Sequence, residues 1–255
     1  MWHQRLLDAA PSAPDLLRAR GLRALGGAIE IMGDPRSAEE LYRASLELIE
    51  PLGDEDETSY VRFRIGAAAV NSGDTDRGWP LIEAALVTFR QAADSVRTAQ
   101  ALSFLSIKAE YEGDLPRAVQ LRSESAAIVH RAQWPWWEAH DRANLAALER
   151  RRGDLAAAMA QARESAALAE TIHDRMMAVY AAAELASAAA VAGQAELAGR
   201  LWGAIEAEEE GPPIGQWPAE RADYEQIVRT AAGSDFDRGR AEGRLLTLAD
   251  AAKVD

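Results

Sequence analysis

The sequence lacks cysteine entirely and has almost no lysine. Without cysteine, the chain has no disulfide framework, no thiolate metal site, no cysteine nucleophile and no iron–sulfur cluster. Only Lys108 and Lys253 are lysines and neither follows a glycine, so the Gly-Lys-Ser/Thr of a phosphate-binding loop is absent. No apolar run reaches the roughly 18–20 residues that a membrane helix needs. These absences exclude several redox and nucleotide-binding classes and predict a protein that does not interact with a membrane.

Acidic residues outnumber basic ones, 41 to 28. The 255 residues carry a formal net charge of −13 at pH 7, and a surface this acidic repels phosphate backbones. We therefore expect no direct nucleic-acid binding. Hydrophobic residues make up 48% of the chain, which is typical of a folded globular protein. The first residues, Met1 to Arg5, lack the basic segment and apolar core of a signal peptide, and a cytoplasmic location is expected.

Glycine recurs with a period of 40 residues. An aliphatic residue lies eight positions before each of these glycines, and small residues lie seven before and five after. Apolar residues at helical spacing flank each glycine, which readily adopts the left-handed conformation that ends a helix. The glycines are Gly33, Gly73, Gly113, Gly153 and Gly193. The pattern predicts five helical hairpins, over 15–51, 56–93, 95–132, 136–172 and 174–209.

Further helical segments are predicted on both sides of the hairpins. Residues 2–10 form a predicted helical stub, ended by two prolines. Beyond Glu210 the period stops at a Gly-Pro-Pro segment, and helices are predicted over 218–232, 235–243 and 247–253. Stacked repeats need an end that covers their open apolar face. We therefore predict a repeat array over 1–209 and a C-terminal helical cap over 210–255.

The aliphatic–small pair, the turn glycine and the small residue of the second helix resemble the tetratricopeptide repeat (TPR). This resemblance implies an all-α, right-handed superhelix of about five hairpins. The usual period is shorter than 40, and the aromatic residue near the start of the first helix is missing. Its place is taken by Leu22, Arg62, Leu102, Arg142 and Ala182. These departures weaken the match to the short co-chaperone type of repeat.

The C-terminal sequence resembles a more specific group of proteins. Segments 198–207, 218–224, 239–243 and 246–249, together with the repeat over 73–86, are similar to the helical-repeat arm of large bacterial ATP-binding transcriptional regulators. These include the LuxR-type maltose-regulator class and the antibiotic-regulatory activators. The resemblance implies a sensor or interaction arm, with the ATPase and DNA-binding modules elsewhere in a longer protein. A free-standing TPR scaffold is the alternative.

The TPR resemblance also implies a concave groove lined by the first helices. Such a groove would hold a protein or peptide, or a small-molecule inducer, although a merely solvated inner face is the alternative. The candidate groove residues are Arg20, Arg23, Tyr60, Phe63, Gln100, Ser103, Tyr111, His140, Asn144, Arg150 and Tyr180.

A second candidate site is the aromatic cluster of Trp134, Trp136 and Trp137. Aromatic residues are common at interaction hot spots and in ligand cages, but they also act as wedges between hairpins. His130 and His140 flank the cluster without a third nearby histidine, and no metal site is predicted.

Catalytic motifs are missing from the sequence. It has no Gly-x-Ser-x-Gly elbow and no His-Glu-x-x-His, and its paired carboxylates are typical of solvated helix faces. We predict no enzyme activity, no catalytic residues and no cofactor. An enzyme built on helical hairpins would need a deep pocket with convergent titratable groups.

Overall fold

The computed structural model describes residues 13–215 and 217–253, and all regular structure in these ranges is helical. The predicted stub over 2–10 lies outside the described residues. The helices are α1 (Asp15–Ile31), α2 (Pro35–Ile49), α3 (Glu55–Asn71), α4 (Thr75–Gln91), α5 (Ser95–Tyr111), α6 (Leu115–Arg131), α7 (Pro135–Arg152), α8 (Leu155–Thr171), α9 (Arg175–Val191), α10 (Ala195–Glu209), α11 (Trp217–Val228), α12 (Ser234–Gly243) and α13 (Leu248–Lys253). Short 3-10 helices follow α2 and α11. The predicted all-α fold is confirmed.

The contacts divide the chain into two compact units, one ending at Glu112 and the other starting at Gly113. The first unit holds α1 to α5, with hairpins α1–α2 and α3–α4. The second holds α6 to α13, with hairpins α7–α8 and α9–α10. The proposed division into an array over 1–209 and a cap over 210–255 stays a prediction.

The turns follow a period of 20 residues, half of the period seen in the sequence. The five turn glycines all have positive φ, as predicted. The turns between hairpins place a left-handed residue halfway between these glycines, at Gly53, Ala93, Gln133 and His173. As a result, the first ten helices begin every 20 residues, from Asp15 to Ala195. The 40-residue repeat therefore consists of two helix–turn units of equal length.

An N-cap aspartate accompanies most of these turns. Asp34 and Asp94, for example, accept hydrogen bonds from the backbone N–H groups of Ser37 and Arg97 at 3.1 and 2.9 Å. Such caps satisfy amide groups that have no partner within the helix. The same bond is made by Asp54, Asp114, Asp154 and Asp174. Each of these turns thus combines a left-handed residue, which ends one helix, with an aspartate that caps the next.

Glycine at the three non-glycine left-handed positions should stabilise the protein. An L-residue in this conformation costs about 1–2 kcal/mol, which glycine avoids. Glycine in turn costs about 0.4–1 kcal/mol, because it raises the conformational entropy of the unfolded chain. Ala93→Gly, Gln133→Gly and His173→Gly should therefore each raise the free energy of unfolding by about 0.5–1 kcal/mol. Urea unfolding measures the change. In the matched control, Ala132→Gly, the φ of −76° gives glycine no advantage, and stability should fall.

Close backbone packing holds the second hairpin together. A Cβ atom built on Gly66 would lie 2.9 Å from the carbonyl oxygen of Gly78, and one built on Gly78 would lie 2.7 Å from that of Gly66. These are two of the small positions that the repeat pattern singled out. Their lack of side chains lets α3 and α4 approach more closely than a methyl group would allow.

A buried ion pair interrupts the apolar packing of the second unit. Arg122 on α6 donates through Nη1 to Asp141 Oδ1 on α7 at 3.0 Å, and both side chains are almost completely buried. Ser125 also donates to Asp141. The residues 40 or 80 positions away, where other second helices are followed by the next first helix, are uncharged and buried: Tyr42 with Val61, Ile82 with Ala101, and Ala162 with Ala181. The pair is therefore a local exception to a repeated uncharged contact.

The C-terminal helices pack onto the last hairpin through glycine. Cβ atoms built on Gly199 and Gly203 of α10 would overlap backbone atoms of α12, and those built on Gly239 and Gly243 would overlap backbone atoms of α10. Ion pairs flank this contact, including Arg240 with Glu206 at 2.7 Å. The two helices are in direct backbone contact.

None of the helices in the described ranges is both long and apolar enough to cross a membrane.

Candidate functional site

The first unit brings three arginines together around one glutamate and one tyrosine. Glu57 on α3 accepts hydrogen bonds from Arg20 at 3.3 Å and from Arg97 at 3.0 Å. Arg23 approaches the same carboxylate to 3.7 Å. The guanidinium groups of Arg23 and Arg97 lie 4.6 and 4.3 Å from the ring centroid of Tyr60. We call these five residues the arginine site.

The arginine site is built by the repeat period. Its residues come from α1, α3 and α5, which begin 40 residues apart, and lie in the first turns or the middle of these helices. Arg20 and Tyr60 are 40 residues apart, and so are Glu57 and Arg97. Residues 40 apart occupy the same position in helices of equal length. Their side chains therefore lie at the same level along neighbouring helices and come into contact. Arginines outnumber acceptor carboxylates here, in a chain whose net charge is −13.

The arginine side chains differ in exposure. The side chain of Arg20 is 46% exposed, whereas the side chains of Arg23 and Arg97 are largely buried against Tyr60. The planar guanidinium can stack on an aromatic ring while its N–H groups stay available to oxygen atoms. This arrangement suits recognition of a carboxylate group from outside the chain.

The other predicted groove residues of the first unit are not part of the arginine site, although Phe63 stacks on Tyr60 with ring centroids 6.0 Å apart. Phe63 is 1% exposed and packs against Phe89 and Phe104, with ring centroids 5.9 and 5.6 Å apart. Gln100 and Ser103 are also buried. Tyr111, at the end of α5, is exposed, with its ring centroid 6.5 Å from that of Trp79. Arg20, Arg23 and Tyr60 are thus the predicted residues of this unit that lie together at a partly exposed site.

In the second unit, the predicted groove residue His140 belongs to the tryptophan cluster. Its ring lies parallel to that of Trp136, with centroids 5.9 Å apart, and 5.4 Å from that of Trp137. Trp134 stacks on Trp137 at 5.1 Å. Asn144, one turn further along α7, donates to the carbonyl oxygen of His140 at 2.8 Å. Two of the predicted groove residues, His140 and Asn144, therefore adjoin the predicted tryptophan cluster.

Helix α11 covers the last two predicted groove residues. Tyr180 contacts Trp217 and Tyr224 of α11, with centroids 5.6 and 6.4 Å away. Arg150 lies 3.5 Å from Glu184, a buried carboxyl that also accepts a hydrogen bond from the hydroxyl of Tyr224 at 2.9 Å. Burial raises the pKa of Glu184, and the charge of Arg150 opposes this shift only in part. Helix α11 therefore covers the part of the predicted groove that contains Tyr180 and Arg150.

The histidines and acids beside the tryptophan cluster form ordinary polar pairs. His130 Nδ1 lies 3.0 Å from Glu138 Oε1, and Arg142 donates to the same oxygen at 2.8 Å. Within the described ranges, no group of three or more potential ligands is arranged to hold a metal ion.

Comparisons with known proteins identify the fold. The sequence matches no protein-family model and no curated protein. Among solved structures, the putative kinesin light chain nearly identical TPR-like repeats of Podosopora anserina match with a TM-score of 0.59 and 16% identity, covering 82% of this chain and 99% of that one. BtubC (BKLC) from P. vanneervenii matches with a TM-score of 0.61 and 17% identity, covering 91% and 89%. The fold is a TPR-like repeat.

Two residues of the arginine site in this TPR-like chain escaped the sequence analysis. Glu57 and Arg97 lie three residues before Tyr60 and Gln100. Residues three apart share a helix face, so a row through positions 17, 57, 97, 137 and 177 would have found them. That row also contains Trp137.

Proposed function

We propose that this chain is a non-catalytic protein-interaction module whose first unit binds an acidic segment of a partner protein. The observation that carries the proposal is the arginine site, where Arg20, Arg23 and Arg97 surround Glu57 beside Tyr60. TPR-like repeats place such side chains on a continuous helical surface. A peptide carboxylate would accept hydrogen bonds from the partly exposed Arg20 and share Arg23 and Arg97 with Glu57.

Energetics favour an acidic ligand over a neutral one. Hydrogen bonds between a guanidinium and a carboxylate are charge-assisted and contribute about 1.5–3 kcal/mol each. Glu57 and Asp94, which lies 3.4 Å from Arg97, balance two of the three positive charges, and Tyr60 keeps two of the guanidinium groups in fixed positions. Preorganised donors lose less conformational entropy when the ligand binds.

Mutation of the arginine site tests the proposal. A fluorescein-labelled 12-residue peptide with four glutamates should bind the full chain, and Arg20→Gln with Arg23→Gln should weaken binding at least tenfold, corresponding to about 1.4 kcal/mol or more. Fluorescence anisotropy measures the Kd. Arg229→Gln, at an exposed position of the second unit, is the matched control and should leave the Kd unchanged. Equal weakening by both changes would contradict the proposed site.

The larger protein to which the module belongs is proposed from the resemblance of the C-terminal sequence to bacterial transcriptional regulators. We infer that the module is the sensor or interaction arm of a bacterial transcriptional regulator that acts in the cytoplasm, with a protein partner or a small-molecule inducer as its ligand. The alternative is a free-standing scaffold. An immunoblot of cells that express the native gene separates them: an arm migrates far above the mass of 255 residues, and a scaffold does not.

The non-catalytic assignment is supported by how the most buried carboxyl groups are used. Asp141 pairs with Arg122, and Glu184 with Arg150 and Tyr224. Both lie at helix–helix contacts, whereas a catalytic carboxyl must reach a substrate.

A further inference from the structure

The start of α7 presents a cluster of aromatic rings that the arginine site does not use. Trp134, Trp136, Trp137 and His140, which we call the aromatic surface, lie with neighbouring ring centroids 5.1–5.9 Å apart. Trp136 is the most exposed of the three tryptophans, at 36%. The face of an indole ring attracts cations, and the net negative charge of the chain adds to this attraction.

Other aromatic rings in the chain already carry a guanidinium group of the chain itself. Arg23 and Arg97 cover Tyr60, Arg64 lies 5.2 Å from the centroid of Tyr42, and Arg221 lies 5.1 Å from that of Trp202. Among the described residues, no arginine or lysine occupies the face of Trp136. His140 stacks on one side of Trp136, and the exposed part of this indole carries no cation from the described residues.

A carboxylate without an ionic partner lies beside this ring. Trp136 Nε1 donates to Asp174 Oδ2 at 3.0 Å, and Asp174 also caps α9 through the backbone N–H of Met177. In the part of the chain that the structure describes, Asp174 forms no ion pair. The neighbouring Glu138, by contrast, already pairs with Arg142 and His130.

Asp174 also has space beside it. It lines an open cavity of about 370 Å³, together with His173, Arg175, Met176 and the segment 213–215. Arg175 does not neutralise it, because that guanidinium is bonded to Glu208 and to the carbonyl oxygen of Pro212. The carboxylate of Asp174 is therefore accessible to a cation from outside the chain.

We propose that Trp136 and Asp174, supported by Trp137 and His140, bind an arginine side chain from a partner protein. The guanidinium lies on the indole face of Trp136 and donates hydrogen bonds to Asp174. Arginine suits this pair better than lysine because its planar group stacks on a ring while its edge bonds to a carboxylate. This site lies in the second unit and carries the charge preference opposite to that of the arginine site.

A pair of isosteric peptides tests the charge requirement. One fluorescein-labelled peptide carries two arginines separated by glycine, and its partner carries two citrullines, which have nearly the same shape without the charge. The arginine peptide should bind the full chain at least tenfold more tightly, as measured by fluorescence anisotropy. Equal binding of the two peptides, or no binding of the arginine peptide at millimolar concentration, would overturn the proposal.

Substitutions locate the site. Trp136→Leu should weaken binding of the arginine peptide at least fivefold, whereas Trp136→Phe keeps an aromatic face and should stay within threefold of the original. Asp174→Asn, which preserves the N-cap, should also weaken binding at least fivefold. Tyr111→Leu, at an exposed aromatic residue of the first unit outside both sites, is the control and should leave the affinity unchanged. An affinity unaffected by Trp136→Leu, or lost equally in Trp136→Phe, would mean diffuse attraction to the acidic surface and would overturn the assignment.

Discussion

Replacing Asp141 with alanine is expected to lower the free energy of unfolding by about 3–5 kcal/mol, because the guanidinium of Arg122 then stays buried without its counter-charge. Asp141 is its only ionic partner in the described residues, and the Nε and Nη2 atoms of Arg122 already make no hydrogen bond there. Urea unfolding followed by tryptophan fluorescence measures the loss. Five of the seven tryptophans lie beyond residue 112, in the unit that contains the pair.

The chain supplies its own control for this prediction. The double variant Arg122→Ile with Asp141→Ala recreates the Ile82–Ala101 pair found one repeat earlier, where both residues are fully buried. Replacing both members of a buried ion pair by apolar residues is commonly neutral or stabilising. We expect the double variant to unfold at the original urea concentration or above. A double variant as unstable as Asp141→Ala would contradict this account.

Acid should affect the original chain and the double variant differently. Burial raises the pKa of Asp141, but the nearby His140, Arg122 and Ser125 together outweigh it, so that the pKa lies below its usual range. A carboxyl with a lowered pKa stabilises the fold above its unfolded value of about 3.9, and this contribution is lost as the pH falls through the folded value. The double variant should lack this loss below about pH 4, as seen in urea midpoints between pH 3 and 6.

The hairpins could be predicted because their turns use glycine, whereas the turns between hairpins could not be recognised in this way. Those turns place Gly53, Ala93, Gln133 and His173 in the same left-handed conformation. These residues share no chemical type, so the 20-residue half-period was missed. Aspartates, which occupy every twentieth position from Asp34 to Asp174 except Trp134, were the available signal.

The groove residues were predicted by register, and register alone does not determine exposure. Arg20 and Tyr60 meet because equal spacing puts them at equal height on neighbouring repeats. Phe63 has the same regularity, but phenylalanines from two other helices enclose it. Tyr180 is covered because the chain reverses after α10 and lays α11 across α9. Such reversals depend on tertiary contacts that no repeat pattern contains.

Adding one methyl group at Gly203 should undock α12. Alanine normally stabilises a helix relative to glycine by about 1 kcal/mol. At Gly203, however, the new Cβ would overlap the carbonyl oxygen of Arg240, and a backbone atom cannot move aside as a flexible side chain does. We expect Gly203→Ala, and equally Gly239→Ala, to cost about 3 kcal/mol in unfolding free energy, at the upper end for an overpacked contact. Separation would also break the flanking ion pairs, such as Arg238 with Glu196.

Trypsin provides a local measurement of this undocking, because α12 carries Arg238 and Arg240, with Arg244 immediately after it. Cleavage at these arginines should accelerate in Gly203→Ala, because proteolysis requires the helix to open. Gly27→Ala is the matched control: the glycine is also within a helix, and its new Cβ would meet no atom closer than 3.6 Å. That variant should gain about 0.5–1 kcal/mol and be cleaved at the original rate. If Gly203→Ala behaved like Gly27→Ala, the backbone contact between α10 and α12 would not hold the C-terminal helices in place.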